Sequence, residues 1–298
     1  MRRGQCLWHA GRVLGGGSSI NGMLYVRGDQ EDYDTWSARG NPGWSWSEVL
    51  PYFRKSERQT NPEYAADAIN HGARGPMSVS DLRWQTPLAE AFIASGHEKG
   101  FPVKDVNTGN ATGFTVMQTC MENGKRVSTA RAFLKPILER PNLTIMTNSR
   151  AVKLKFSYSS QVPKVVGVEV KRNGRIFYVK ARKEVILSAG VVETPKLLML
   201  SGIGPRQHLE AHRIPVVADL PVAENMQSHV GTGEVVFTLR SPVSFNPLRL
   251  FTNPLNLLAY LRGQGPLAAV SGFEGFLDVW APKSTNEHEN TEMGQNNK

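Results

Sequence analysis

Small residues displace any hydrophobic period between Gly11 and Gly28. There Gly15-Gly16-Gly17-Ser18-Ser19 separates Arg12-Val13-Leu14 from Ile20-Asn21-Gly22-Met23-Leu24-Tyr25, which predicts a glycine-rich loop. From about Asp29 to Arg140 short helical stretches alternate with Trp- and Pro-rich connections. Ser45 and Glu48 stand at capping-box spacing ahead of Val49 to Phe53. Thr86 as N-cap with Pro87 in the first helical position predicts a second helix, with Leu88, Ala91, Phe92 and Ser95 on one face and Gly100 as its stop.

The pattern turns to strands from Asn142 to about Gly233. Thr144 to Phe156 reads as a strand, and Val165–Arg172 and Arg175–Arg182 alternate on either side of Asn173-Gly174. An Asn-Gly pair between alternating runs predicts a tight hairpin, because both turn positions need a positive φ. Glu184 to Ser188 reads as a further short strand that ends in Ala189-Gly190. Thr194 is then the expected cap of a helix with Pro195 at its first position, Leu197, Leu198 and Leu200 inside, and Gly202 as its stop. A strand, a small-residue turn and a helix form a corner where ligands gather in open α/β sheets, though an ordinary corner without a ligand has the same spacing. Past Val279 the chain is polar to Lys298, which predicts an unpacked tail.

Composition narrows the class. The 298 residues are 40% hydrophobic and 20% charged, a globular balance. No run approaches the ~20 apolar residues of a membrane span: the richest, Phe251 to Leu261, is interrupted by Asn253, Pro254 and Asn256. Met1-Arg2-Arg3 is followed by no apolar h-region, so no secretory signal is read, and the compartment is left open. The net charge of +9 comes from basic residues scattered singly or in pairs, without the stripe of a nucleic-acid reader. Cys6 and Cys120 stand far apart and read as free thiols, and no metal site is expected.

The candidate chemistry starts with the glycine loop. Glycines without Cβ let backbone N–H groups and serine hydroxyls surround a diphosphate, but a flexible loop has the same composition. It is neither a dinucleotide fingerprint, since Ile20 stands where Gly or Ala is needed, nor a P-loop. Gly263-Gln-Gly265-Pro-Leu-Ala268 matches G-x-G-x-x-A only formally, because Pro266 removes an N–H. His208 and His212 at i, i+4 fit a solvated helix face better than a zinc site, and His229 lies in a polar turn. Asp29, Glu31, Asp32 and Asp34 fit a solvated acidic turn, and no Gly-x-Ser-x-Gly is present.

Two long stretches carry a resemblance. Gly11-Arg-Val-Leu-Gly-Gly-Gly-Ser-Ser-Ile-Asn-Gly-Met-Leu-Tyr-Val-Arg-Gly28, with Asp32-Tyr33-Asp34-x-Trp36 and Gly40-Asn41-Pro42-Gly43-Trp44 behind it, is similar to the first signature of the glucose-methanol-choline (GMC) flavoprotein oxidoreductases. Ser188 to Pro205 resembles the second. His71-Gly-x-x-Gly-Pro-Met77, Asn123-Gly-x-Arg126-x-Ser128, Ala132-Phe-Leu-x-Pro136 and Arg140-Pro-Asn-Leu143 resemble landmarks between them, in the style of insect glucose dehydrogenases. The likeness covers about residues 4 to 281.

The resemblance implies FAD as cofactor and an α/β fold, an incomplete FAD/NAD(P)-binding domain interleaved with part of an α+β substrate domain. By that resemblance Val13, Gly15 and Gly16 would pass the phosphate and ribose of FAD, and Asn21, Gly22, Met23 and Leu24 would lie against the flavin. The backbone of Val152 would meet adenine, and Ala189 and Gly190 would approach the nucleotide. The expected division is a cofactor-contacting region at 4–31, a substrate or intermediate region at 32–112, a nucleotide-binding portion at 113–232, the start of a second substrate segment at 233–281 and a tail at 282–298.

The implied activity is oxidation of the CH–OH group of a small alcohol or sugar, with hydride passing to the flavin. The family's opening G-x-G-x-x-G and its catalytic histidine match nothing here, so the chain reads as truncated at both ends and no catalytic residue is assigned. A non-catalytic short isoform or gene fragment, acting at most as a binding partner, is the competing expectation. Ala223-Glu-Asn-Met-Gln-Ser-His229 departs from the family's Gly-x-Asn-Leu-Gln-Asp-His at Ala223, Met226 and Ser228.

Overall fold

The computed structural model describes residues 8–228, 238–244, 246–269 and 274–278. Cys6, His229 and the polar tail past Val279 lie outside the described residues. The chain mixes helices with small parallel and antiparallel sheets and falls into two compact units: 1–143 with 238–298, and 144–237.

In the first unit, Glu57–Gln59 runs parallel to Met77–Asp81, which pairs antiparallel with Gln118–Thr119. Leu24 joins this sheet through a single bridge to Thr119, so the end of the glycine loop is stitched to the core. Val79, Thr119 and Met121 are fully buried at that point. A second ladder pairs Gly113–Val116 with Gly275–Asp278.

Helix ends follow the capping chemistry of the sequence. The helix Trp46–Ser56 begins where the Glu48 carboxylate reaches back 3.1 Å to the Ser45 N–H. Asp29 caps Gln30–Ala38, taking the Glu31 N–H at 2.9 Å, so the acidic turn is a helix start. Pro87–Glu98 is capped by Thr86 as expected, but its buried face is displaced. Ala89 and Gly96 are buried while Ala91 and Ser95 face solvent. The cause is close approach: a Cβ on Gly96 would lie 2.6 Å from the Phe114 ring, so the helix lies flat on strand Gly113–Val116 along its glycine side. Asn253 breaks the apolar run Phe251 to Leu261, ending helix Pro247–Thr252 and capping Pro254–Leu261.

The second unit is built on the antiparallel sheet Ser149–Ser157, Lys164–Arg172, Arg175–Lys180. Asn173 and Gly174 turn the hairpin with φ of 50° and 77°, pairing Arg172 with Arg175. The first strand starts at Ser149 rather than Thr144, because the ladder begins only where Arg172 is available as partner. Glu184–Ser188 is not a strand: no described strand pairs with it, and Ile186 is 77% exposed. Helix Gly190–Leu200 starts four residues ahead of the expected cap. Thr194 Oγ1 instead accepts the Ala189 N–H at 3.0 Å, and Pro195 sits inside the helix, where it forfeits one main-chain bond. Of its leucines, Leu197 is buried, while Leu200 is exposed. Ser201 joins the layers, accepting the Leu154 N–H at 2.9 Å and donating to the Leu197 carbonyl at 2.6 Å.

Candidate functional site

In the first unit the glycine loop tightens into one short 3-10 turn, Gly16–Ser19, entered through Gly15 at φ 91°. Its back is packed: a Cβ on Gly15 would come within 2.5 Å of Ser19 Oγ and 3.3 Å of the Ser128 and Ala130 side chains. Its front is open, since a Cβ on Gly16, Gly17 or Gly22 would meet nothing within 4 Å. Val13, Leu14 and Ile20 stand exposed around it.

The residues behind the loop fix its shape. Ser18 Oγ accepts the Thr129 N–H at 3.0 Å, and Arg126 donates to the Ser18 carbonyl at 3.1 Å and to Asn21 Oδ1 at 2.7 Å. Asn21 Oδ1 also takes the Met23 N–H at 3.1 Å. Met23 is left-handed at φ 63°, a conformation that costs a non-glycine residue about 1–3 kcal/mol and persists only where its surroundings enforce it. On its other side the Met23 carbonyl accepts the Cys120 N–H at 2.7 Å.

A buried charged cluster follows. Arg27 pairs with Glu57 at 2.7 Å with neither side chain exposed. His71 lies between Glu57 Oε1 at 3.0 Å and Asp105 Oδ2 at 2.6 Å, its ring stacked on Tyr64. Burial works against the His71 charge, but hydrogen bonds to Asp105 and Glu57 outweigh it and raise the ring to about 9. Burial pushes the Tyr25 hydroxyl up to about 12, so it stays a neutral hydrogen-bonding group. Burial also pushes the Cys120 thiol up to about 11, which makes it an unreactive neighbour of the loop.

In the second unit the corner after Glu184–Ser188 borders a cavity of about 540 Å³ lined by Ser188, Gly190, Thr194 and Ala223 among others. A Cβ on Gly190, at φ 89°, would meet open space. Ala223 is left-handed at φ 67°, a conformation that favours glycine. Val152 falls at the register shift between Ala151 and Lys153, a bulge whose extra residue is left out of the ladder.

The sequence-derived site residues therefore form two groups, each within its own unit: Val13, Gly15, Gly16, Asn21, Gly22, Met23 and Leu24 in the first, and Val152, Ala189 and Gly190 in the second. Each unit leaves glycine backbone open on one side, at Gly16, Gly17 and Gly22 in the first and at Gly190 in the second, and backbone of that kind can approach phosphate oxygens closely. Arg27, Glu57 and Asp105 escaped the sequence reading, as did the anchoring role of Arg126, although it stands in a motif that reading singled out. Exposed His208 and His212 lie with ring centroids 4.8 Å apart, and among the described residues no cluster of three or more His, Cys, Asp or Glu is placed to hold a metal ion. Among the same residues no helix is long and apolar enough to cross a membrane.

Known proteins resemble this chain in sequence and fold. A sequence model of the GMC oxidoreductase family matches residues 2–231. The chain is 42% identical over 228 residues to the glucose dehydrogenase (FAD, quinone) of Drosophila pseudoobscura pseudoobscura, a match covering 76% of this chain and 36% of that protein. It is 43% identical over 223 residues to the oxygen-dependent choline dehydrogenase of Brucella anthropi, covering 74% of this chain and 39% of that protein. Among solved structures, pyridoxine 4-oxidase from Mesorbium loti superimposes with a TM-score of 0.65 at 35% identity, over 72% of this chain and 41% of that one. The chain thus spans a little over a third of the length of the curated relatives it matches. Because the matched residues run unbroken from the glycine loop through the hairpin to the Gly190 corner, the chain belongs to the GMC oxidoreductase family.

Proposed function

We propose that this chain carries cofactor-holding elements of an FAD-dependent oxidoreductase that acts on the CH–OH group of a small alcohol or sugar. The observation that supports this reading best is the two-sidedness of the glycine loop, packed behind Gly15 and open in front of Gly16, Gly17 and Gly22. Val13, Gly15 and Gly16 would lie along the diphosphate and ribose, while Asn21, Gly22, Met23 and Leu24 would border the flavin. Val152 would offer its backbone to adenine, and Ala189 and Gly190 would approach the nucleotide without side-chain bulk.

When bound, FAD would supply a two-electron acceptor for the hydride of the alcohol carbon. The contribution of these residues is orientation. The Arg126 bond to Asn21 and the Cys120 bond to Met23 hold the flavin-bordering backbone in one conformation before any ligand arrives. No residue of this chain is assigned the proton transfer.

The test is the visible absorption spectrum of the purified, dialysed 298-residue chain with and without added FAD. Retained flavin bands, perturbed from those of free FAD, are expected. A folded chain that takes up no flavin at excess FAD would overturn independent cofactor binding and leave the fragment or partner-dependent reading standing.

A further inference from the structure

His71 sits between two groups that it cannot satisfy as a neutral ring. An ionised carboxylate only accepts hydrogen bonds, and a neutral imidazole has one donor. Yet both ring nitrogens face carboxylate oxygens, Nδ1 toward Glu57 at 3.0 Å and Nε2 toward Asp105 at 2.6 Å. Both carboxylates also accept hydrogen bonds from other donors. Glu57 Oε2 accepts from Arg27 at 2.7 Å and from the Gly72 N–H at 2.7 Å. Asp105 Oδ1 accepts from the Asn107 N–H at 2.9 Å and from Gln118 Nε2 at 2.8 Å. With His71 as imidazolium the cluster is two cations against two anions; without that proton an anion is left over in a buried site.

Both carboxylates are wired to the end of the glycine loop. From Glu57 the path runs through Arg27, whose Nε donates to the Tyr25 hydroxyl at 3.2 Å and whose backbone N–H meets Asn107 Oδ1 at 2.9 Å. From Asp105 it runs through Gln118, whose carbonyl accepts the Tyr25 N–H at 2.9 Å. Asn107 Nδ2 closes the circuit on the Tyr25 carbonyl at 3.2 Å. Immediately upstream lies the left-handed Met23, the point at which the loop most needs enforcement.

We infer that His71, as an imidazolium bridging Glu57 and Asp105, is a positioning residue for the backbone from Asn21 to Tyr25, and that loss of its ring proton releases that stretch. The groups facing it are Glu57 and Gln59 from the strand, Tyr64 from helix Pro62–Ala66, Asp67 after that helix, Asp105 from its turn, and Arg27 and Tyr25 through Glu57. Tyr25 and Tyr64 are both raised to about 12 by burial, so His71 is the member of this group that changes charge between pH 7 and 10. Its bearing on the cofactor rests on the reading that Asn21 to Leu24 borders the flavin; the anchoring itself does not.

The test uses the full chain without flavin. The ¹⁵N-imidazole spectrum of His71 is followed from pH 6 to 10 alongside hydrogen-exchange protection of residues 15–26, with helix Pro87–Glu98 of the same unit as control. A doubly protonated ring at pH 7.5 is expected. Protection of 15–26, corrected for intrinsic exchange, should fall at least tenfold with the same midpoint as the ring, while the control helix keeps its protection. In His71→Gln the loop should be weakly protected at every pH, with the pH dependence gone. A neutral ring at pH 7.5, or loop protection that ignores the ring's titration or the folded variant, would overturn the inference. If the variant does not fold, the wild-type titration alone decides. Adding FAD separates the two readings: a chain that takes up no flavin but shows the coupled titration loses the cofactor reading and keeps the positioning role.

Discussion

The guanidinium of Arg27 lies 2.7 Å from the Glu57 carboxylate, and neither side chain is exposed to solvent. Removing one member of such a pair leaves the other charged and out of reach of water, which typically costs about 3–5 kcal/mol. Glu57→Gln should destabilise the chain by that amount, read as a lower urea midpoint with an unchanged slope. A loss below about 1 kcal/mol would mean that water reaches the cluster.

Stability should depend on pH in a definite direction. His71 is raised from 6.5 to about 9 in the folded chain, so its contribution is fully present below pH 6.5 and is lost as pH rises through about 9. Asp105 is lowered, with burial opposing the shift and the hydrogen bond from His71 among the causes that outweigh it, so its contribution is lost as pH falls into the carboxylate range. Urea unfolding from pH 2 to 10 should give a maximum between these limits, and in His71→Gln the alkaline decline should disappear.

Gly22→Val tests the open face of the loop. Its side chain would enter space that holds no protein atom, so folding stability should change by about 0.5 kcal/mol or less. FAD affinity, followed by flavin fluorescence, should fall at least tenfold, about 1.4 kcal/mol. Gly15→Ala should do the reverse and damage folding first, because its Cβ meets Ser19 Oγ at 2.5 Å. Equal FAD affinity in wild type and Gly22→Val would place the cofactor elsewhere.

Ala223→Gly should stabilise the second unit by about 1 kcal/mol, since glycine adopts φ 67° without the Cβ clash that alanine carries there. A thermal shift of the opposite sign would mean that the alanine methyl makes contacts worth more than its backbone strain.

Ser201→Ala should cost about 1–3 kcal/mol, because the N–H of the buried Leu154 loses its acceptor. Urea unfolding measures the loss. Faster amide exchange at Leu154 would assign it to that bond.

What the sequence disclosed is what short-range chemistry writes. Asn173-Gly174 demanded a positive-φ turn, Ser45 with Glu48 and Thr86 with Pro87 marked helix starts, and the glycine run marked the loop; each signal spans a few residues. Glu184 to Ser188 misled because an apolar run is a strand only beside a partner. Thr194 misled because it lies inside the helix, where its oxygen accepts the Ala189 N–H instead of capping the turn that follows. The clamp was illegible for another reason. Arg27, Glu57, His71 and Asp105 meet across long stretches of sequence, and buried charges carry no local pattern that separates them from solvated ones.

The sum of zero in that cluster also governs how the molecule meets salt. Mobile ions reach only charges in contact with solvent, over a screening length of about 8 Å at physiological ionic strength. The exposed pairs of the second unit, Arg150 with Glu193 and Arg206 with Asp219, are each about half open to that atmosphere, whereas Arg27 and Glu57 are shut off from it. Added electrolyte should therefore weaken those exposed pairs and leave the Arg27–Glu57 contact untouched, so that this part of the loop's anchorage answers to acidity and not to ionic strength.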